Sequence, residues 1–414
     1  MKPRLFTRNF TLLLLGQASS LAGNYTLRFA LSMLVLEETG SASVFGGILA
    51  VSMVPTILLS PLGGVLADRA NRRNIMVALD VLSGTAVLGA CLLFPWGNRL
   101  LLTGAQLVAL SILGAFESPT VQACVPQMLE ESLLLKGNAA VNQISAAASL
   151  VTPFLGSVLY TVLGIQPVLA GAAACFFLTA ALESLFRLEH CPSPRKEPLS
   201  AILKNDLSQS TRFLLREEPD LVRLLLLAAL ASLFAAGTAV VGLPYLVRTT
   251  LGLSAQHYGA AESAMGVAAI VGGVLVALLG DRLGPERLSA VFVGIGLCLA
   301  PCGMVFLLPA SAVVRYGVLV ALFCLLQLGC SLFSTTAISV IQARTPEGLM
   351  GKVMSWVFTL SLCAQPLGQL LYGALFDWFS QAVQWVLLPT SLAICALGLA
   401  SRGFFRRLAK PAPL

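Results

Sequence analysis

Charge is what this chain has least of. Asp, Glu, Lys and Arg make up only 11% of its 414 residues, against about 25% in an ordinary soluble domain. Histidine is nearly missing. His190 and His257 are the only two, both near the ends of apolar runs, where solvent reaches them. There is no His-Glu-x-x-His and no other metal-ligand spacing, so no metal is expected. A Gly-x-x-x-x-Gly-Lys-Ser/Thr loop is also lacking, which excludes ATP hydrolysis by this chain in the P-loop manner. Within the apolar runs no nucleophile is matched with a base. The sequence gives no reason to expect an enzyme or a cofactor.

What remains is apolar. Hydrophobic residues account for 57% of the chain, and its mean hydropathy is +0.87. Twelve runs of about membrane-spanning length can be drawn, at about 9–36, 43–66, 74–95, 100–124, 138–161, 165–186, 221–247, 255–280, 288–309, 312–342, 352–376 and 381–402. They lack the two-residue alternation of a membrane barrel. The expected fold is an all-α membrane protein with twelve spanning helices in two six-helix bundles. The first run follows Lys2, Arg4 and Arg8, yet it is too long and too polar inside (Gln17, Asn24, Arg28) for a cleaved signal segment. It reads as the first spanning helix.

The net charge of +7 could suggest nucleic acid, but the basic residues sit in short turns between apolar runs. That places them among lipid headgroups and predicts no nucleic-acid partner. With the N-terminus inside, 22 of the 26 Lys and Arg residues fall on the cytoplasmic side, and Arg99, Arg248 and Arg315 fall outside. Arg28 lies within the first run. The bias predicts both termini in the cytoplasm, including the tail with Arg402, Arg406, Arg407 and Lys410.

Residues 187–220 break the apolar pattern with Pro192, Pro194, Pro198 and charges of both signs. Their later part, 199–215, could lie on the inner surface as an amphipathic helix with Lys204, Arg212 and Arg216 toward headgroups. The expected organisation is an N-terminal bundle over 1–186, a cytoplasmic linker over 187–220, and a C-terminal bundle with a tail over 221–414. The halves repeat at an offset of 212 to 215 residues. Asp68-Arg69 recurs as Asp281-Arg282, Pro153 and Gly156 as Pro366 and Gly368, Gly114 as Gly329, and Gly137 as Gly351. Two parallel repeats about an axis along the membrane normal are a known transporter arrangement. The ten cysteines lie in or beside apolar runs, apart from Cys191 in the linker, and are expected to be small buried hydrophobes without bridges.

Asp68-Arg69-Ala70-Asn71-Arg72-Arg73 packs mixed charge into a short turn between the second and third runs, just after Gly63 and Gly64. With Gly64, Leu66 and Ala67 it resembles the Gly-x-Leu-Ala-Asp-Arg-x-Gly-Arg-Arg signature of the major facilitator superfamily. Asn71 stands where that signature has its second glycine, and asparagine tolerates a left-handed backbone better than other residues with a side chain. Gly16-Gln17-Ala18, Thr39-Gly40-Ser41-Ala42, Asp80, Ala115-Phe116 with Pro119, Gly252-Leu253-Ser254 with Tyr258-Gly259, and Arg344-Thr345-Pro346-Glu347 with Gly351-Lys352-Val353 are similar to the bacterial macrolide-efflux and enterobactin-exporter branch. Leu110 stands where many relatives carry an arginine. The helix-5 exporter signature keeps Pro153 and Gly156 but has Thr152 and Ser157 in place of glycines.

The resemblance implies alternating access in the bacterial inner membrane by a monomer surrounded by lipid. It implies a gate built from Gly64, Asp68, Arg69, Arg72, Arg73, Asp281 and Arg282. Proton-coupled efflux of an amphipathic small molecule is the expected activity. Uptake of a small nutrient and ligand sensing without transport are the alternatives. Ionisable residues inside a membrane are functional candidates, because each costs about 2.5–3.5 kcal/mol on insertion scales. Four qualify. By depth, Arg28 and Glu262 are expected to form an outer pair, and Asp80 and Glu117 an inner acidic site for substrate or protons. Asp80 could instead serve as a structural partner of Arg72 or Arg73.

Overall fold

The computed structural model describes residues 5–186, 209–279 and 284–409. Twelve long helical segments follow one another, with no strand among the described residues. They are α1 (Arg8–Thr39), α2 (Ala42–Arg69), α3 (Arg72–Leu93), α4 (Arg99–Met128), α5 (Leu134–Leu163) and α6 (Ile165–Ser184). After the segment 187–208 come α7 (Pro219–Thr250), α8 (Ala255–Leu279), α9 (Leu288–Met304), α10 (Ala312–Arg344), α11 (Met350–Trp378) and α12 (Gln384–Ala400). A 43° bend leads from α12 into α13 (Arg402–Leu408). The chain is a multi-pass membrane protein.

Nine of these helices are long and apolar enough to cross a membrane, or ten if α12 and α13 count as one broken span. Twelve apolar spans were expected from the sequence, so α1 and α11 need an explanation. Both carry polar side chains along their length, Gln17, Ser20, Asn24 and Arg28 in α1 and Lys352, Gln365, Gln369 and Asp377 in α11. Gln17, Ser20 and Gln369 are buried in protein. Polar groups that face protein do not meet lipid, so low apolarity is tolerated there.

The helix ends follow local chemistry. Thr7 caps α1, its hydroxyl accepting from the Phe10 amide, and Gly40 ends the helix in a left-handed conformation at φ 59°. Asn71 was expected to exploit a left-handed backbone. It does not. Its backbone is extended, at φ −68° and ψ 109°, and its side chain accepts from the Asn74 amide as the N-cap of α3. Asparagine suits this turn as a cap.

The described chain forms two compact units. The first holds α1, α3 to α6, α2 from Ile48 onward, and Ser254–Ser263 at the start of α8. The second holds Ser41–Gly47 at the start of α2, α7, α8 from Ala264 onward, and α9 to α13. In the first unit, α1, α3, α4 and α6 enclose a core that includes Leu27, Leu31, Val87, Leu107, Leu110 and Phe176. A second cluster, with Phe10, Leu13, Met76, Val125 and Phe186, closes the end of the unit near Asn71. We call that end inner, after the expected topology.

The internal repeat is visible in packing. A short 3-10 turn leads into α5 at Glu131–Leu133, and another leads into α11 at Glu347–Leu349. A Cβ on Gly156 of α5 would lie 3.4 Å from Thr26 Cα of α1, and one on Gly368 of α11 would lie 2.1 Å from the Leu233 carbonyl oxygen of α7. Each half thus uses a glycine of its fifth helix to approach its first. The pairs Gly114–Gly329 and Gly137–Gly351 show no such match: Gly329 and Gly137 are crowded, whereas Gly114 and Gly351 face open space.

Candidate functional site

In the first unit, polar side chains of three helices meet at Ser20. Its hydroxyl lies 3.2 Å from Asp80 Oδ1 of α3 and 3.2 Å from Glu117 Oε1 of α4. Ser20 and Asp80 are buried, while Glu117 keeps partial exposure. Depth along the helices brings Asp80 and Glu117 to one level, and the Ser20 hydroxyl links them. One hydroxyl proton can serve one acceptor at a time. The second contact is a hydrogen bond only when that carboxyl itself carries a proton.

The expected partners of Asp80 on the basic turn have other roles. Arg72 donates from Nε to the Ala67 carbonyl at 2.8 Å and from a terminal nitrogen to the Ala123 carbonyl at 2.7 Å. Arg73 donates to the Ser184 carbonyl. Ala67 and Ser184 lie in the last turns of α2 and α6, where carbonyls lack partners within the helix and a cation is favourable. The two arginines therefore tie the inner ends of α2, α4 and α6 together. Asp68 and Arg69 close α2, but their side chains lie outside those described, as do Asp281 and Arg282. Gly64 faces open space. Its neighbour Gly63 makes the close approach, since a Cβ there would lie 2.4 Å from the Ala115 carbonyl of α4.

Arg28 is not joined to Glu262. Its Nε donates to Asn24 Oδ1 one turn earlier at 2.8 Å, and a terminal nitrogen donates to Ser111 Oγ of α4 at 3.3 Å. The acid within its electrostatic reach is Glu117. No ion pair links it to Glu262 among the described residues. Glu262 instead lies within electrostatic reach of Tyr258 one turn earlier in α8, and the Tyr258 ring stacks on Phe29 with centroids 5.5 Å apart. The Phe29–Tyr258 stack brings α1 and the start of α8 together here without joining Arg28 to Glu262. The rotation of each helix sends their charged ends to local partners.

Two further groups were not singled out in the sequence. Glu183, in the last turn of α6, is fully buried. So near a helix end, it reads in sequence as an interfacial charge. Asp377, beyond the apolar run 352–376, caps the start of α2. It accepts from the Ser41 hydroxyl at 2.6 Å and from the Ala42 and Ser43 amides at 2.7 and 2.9 Å. Partial burial pushes its carboxyl up, but these bonds outweigh it and hold Asp377 below the usual carboxylate range.

The second unit holds a cavity of about 350 Å³ lined by α7, α10 and α11. Ala231, Ser232, Ala235, Gln327, Ser331, Phe333, Ser334 and Phe358 are among its walls, and among the described residues no charged side chain lines it. Its size and mix of apolar surface with a few polar groups match small-molecule sites. Among the described residues, no three His, Cys, Asp or Glu side chains are grouped to hold a metal.

The family profile described as Major Facilitator Superfamily matches residues 13–368. Macrolide efflux protein A of Streptococcus pyogenes is 24% identical over 386 residues, 92% of each chain. An enterobactin exporter of Citrobacter koseri is 27% identical over 364 residues, 85% of this chain and 82% of its own. The crystal structure of a bacterial homologue of the iron transporter ferroportin, in an inward-facing state, superposes with a TM-score of 0.72 at 19% identity over 98% of this chain and 99% of its own.

Proposed function

The chain belongs to the Major Facilitator Superfamily, a family of transporters for small molecules, and from that premise we propose that it is a proton-coupled exporter working by alternating access. The observation that carries the proton link is the Ser20 hydroxyl held between Asp80 and Glu117. Two carboxyl groups on one hydroxyl form a place where a proton is gained and lost, and the partial exposure of Glu117 gives it a route in. Arg28, within electrostatic reach of Glu117, favours loss of that proton once the geometry changes.

The cargo is an amphipathic small molecule of the macrolide or siderophore type. The relatives' efflux names support the direction, and the uncharged cavity of the second unit supports the chemistry. Apolar walls with scattered hydroxyl and amide groups suit such a molecule better than a charged nutrient. The protein resides in a bacterial inner membrane with both termini and the 187–220 linker in the cytoplasm, as the charge bias indicates. The basic turn and its repeat at Asp281 and Arg282 form the gate. Arg72 and Arg73 hold helix ends, and Asp68 and Arg69 close α2 beside them.

A pump-deficient bacterial host carrying the chain should tolerate higher concentrations of some members of a toxic panel that includes erythromycin. Inverted membrane vesicles should accumulate erythromycin when a pH gradient is imposed and release it when the gradient is collapsed. Accumulation that ignores the gradient would refute proton coupling, and equal growth across the panel would refute efflux of this cargo class.

A further inference from the structure

One buried acid has no part in the site so far. Neither oxygen of Glu183, nor Asp80 Oδ2, meets a hydrogen-bond donor. Yet the two acids share one pocket: Glu183 packs on Gly16 and Asp80 meets Ser20, one turn apart on the same face of α1, and each acts electrostatically on the other. An ionised carboxylate only accepts, so the pair can bond only when one member carries a proton. Left ionised and unbonded, either group would bear the full cost of burial. The α1 backbone closes over the acid. A Cβ on Gly16 would lie 3.6 Å from Glu183 Cγ and 3.8 Å from its Oε1. Next to it Gln17, one turn before Ser20, is buried with its amide nitrogen unpartnered. The Gln17 amide and the oxygens of Glu183 are thus all left without hydrogen-bond partners.

Four helices bring titratable and charged groups to this region. They are Arg28 on α1, Asp80, Arg72 and Arg73 on α3, Glu117 and Cys124 on α4, and Glu183 itself on α6. Because both Glu183 oxygens lack a donor, no guanidinium bonds to it.

We infer that Glu183 is a third proton-carrying residue, sharing one proton with Asp80, and that Ser20 relays protons between this pair and Glu117. The inference rests on the proton-coupled reading above. In one step, Glu117 gives its proton to Ser20 Oγ while Ser20 gives its own to Asp80 Oδ1. One O–H bond breaks at Glu117, one forms at Asp80, and the serine hydroxyl is restored. The proton on the other Asp80 oxygen passes to Glu183 near the inner end of α6. No electrons are transferred and no other reactant is required.

The test is an infrared pH titration of the protonated-carboxyl C=O band in the full-length protein reconstituted in lipid, with no cargo present. Wild type should keep part of this band at neutral pH. In Glu183→Gln the new amide donates to Asp80, so the shared proton and its share of the band should be lost. A band in that variant equal to wild type overturns the shared proton. Ser20→Ala keeps all three acids and should keep the band. On transfer to heavy water, its isotope shift should develop about tenfold more slowly than in wild type. An unchanged exchange rate overturns the relay and restricts Ser20 to packing. If wild-type vesicles ignore the pH gradient while the band behaves as described, proton coupling is wrong and the shared proton stands.

Discussion

The two units differ most in what they bury. The first unit takes Arg28, Asp80, Glu117 and Glu183 into its interior, and the segment Ser254–Ser263 adds Glu262. The second unit surrounds its cavity with Ala, Ser, Gln, Cys, Ile, Val and Phe. Both are built from the same repeat, in which the fifth helix meets the first across a glycine. A common scaffold has therefore been filled with two chemistries. On the proposed function, charge in the first unit would supply groups that gain and lose protons. On the same reading, the uncharged cavity lining of the second would bind an amphipathic molecule without the desolvation cost of ions. In a transporter, coupling requires that the two influence each other only through a shared change of state.

Removing charge from the first unit should have the largest effect. Glu117→Gln keeps the shape of the side chain but ends proton exchange at Ser20. Gradient-driven erythromycin accumulation in inverted vesicles should fall about 100-fold. A rate within twofold of wild type would break the division of labour between the units.

Adding charge to the second unit is the converse experiment. Ser334 lines the cavity and is exposed to it. Ser334→Asp places a carboxylate among uncharged walls, at a cost of about 2.5–3.5 kcal/mol where it must shed water. Uncharged members of the toxic panel should lose about tenfold in protection, and cationic members less. Equal protection by variant and wild type against every compound would remove this cavity from the cargo path.

The outline of this comparison was legible in the sequence, because hydropathy and the positive charge bias depend on composition over whole segments. Individual charges were less legible. Depth along a helix follows from counting residues, and it brought Asp80 and Glu117 to one level. Rotation about the helix axis does not follow from counting. Arg28 therefore turns toward Asn24 and Ser111, and Glu262 toward Tyr258. Glu183 was hidden because its place beside Ser184 at the end of α6 makes it look like an interfacial charge. Only the packing of α1 over it through Gly16 shows that it is buried. Gly63 and Gly64 are equivalent as letters, and the spatial neighbour Ala115 distinguishes them.

That last distinction gives a smaller effect. Gly63→Ala would set a methyl group 2.4 Å from the Ala115 carbonyl. The helices must part, at a cost of about 1–3 kcal/mol, and the thermal midpoint in detergent should drop by several degrees. Gly64→Ala meets nothing within 4 Å and should hold the midpoint or raise it slightly through better helix propensity. If the two variants melt alike, α2 does not approach α4 through Gly63. The first unit would then owe its charged interior to something other than tight packing of these helices.

The smallest effect concerns Asp377, a carboxylate of the second unit with a structural bond network. Asp377 holds the start of α2 through the Ser41 hydroxyl and the Ala42 and Ser43 amides. These bonds keep its folded-state carboxyl below the usual range. Its stabilisation is therefore present above the unfolded carboxylate value of about 3.9 and is lost as pH falls through the lower folded value. An asparagine can still accept one bond but cannot supply the charge at the helix N-terminus. Asp377→Asn should cost about 0.5–1 kcal/mol at neutral pH, the low end for a cap because solvent screens a group this exposed. The midpoint difference from wild type should be about 1–2 °C at pH 7 and should shrink toward zero below about pH 4. A difference that persists unchanged into acid would mean that the carboxylate charge is not what holds α2. The acidic groups of the first unit differ in kind. On the proposed function they change protonation during transport, whereas Asp377 is held by its bonds to the start of α2.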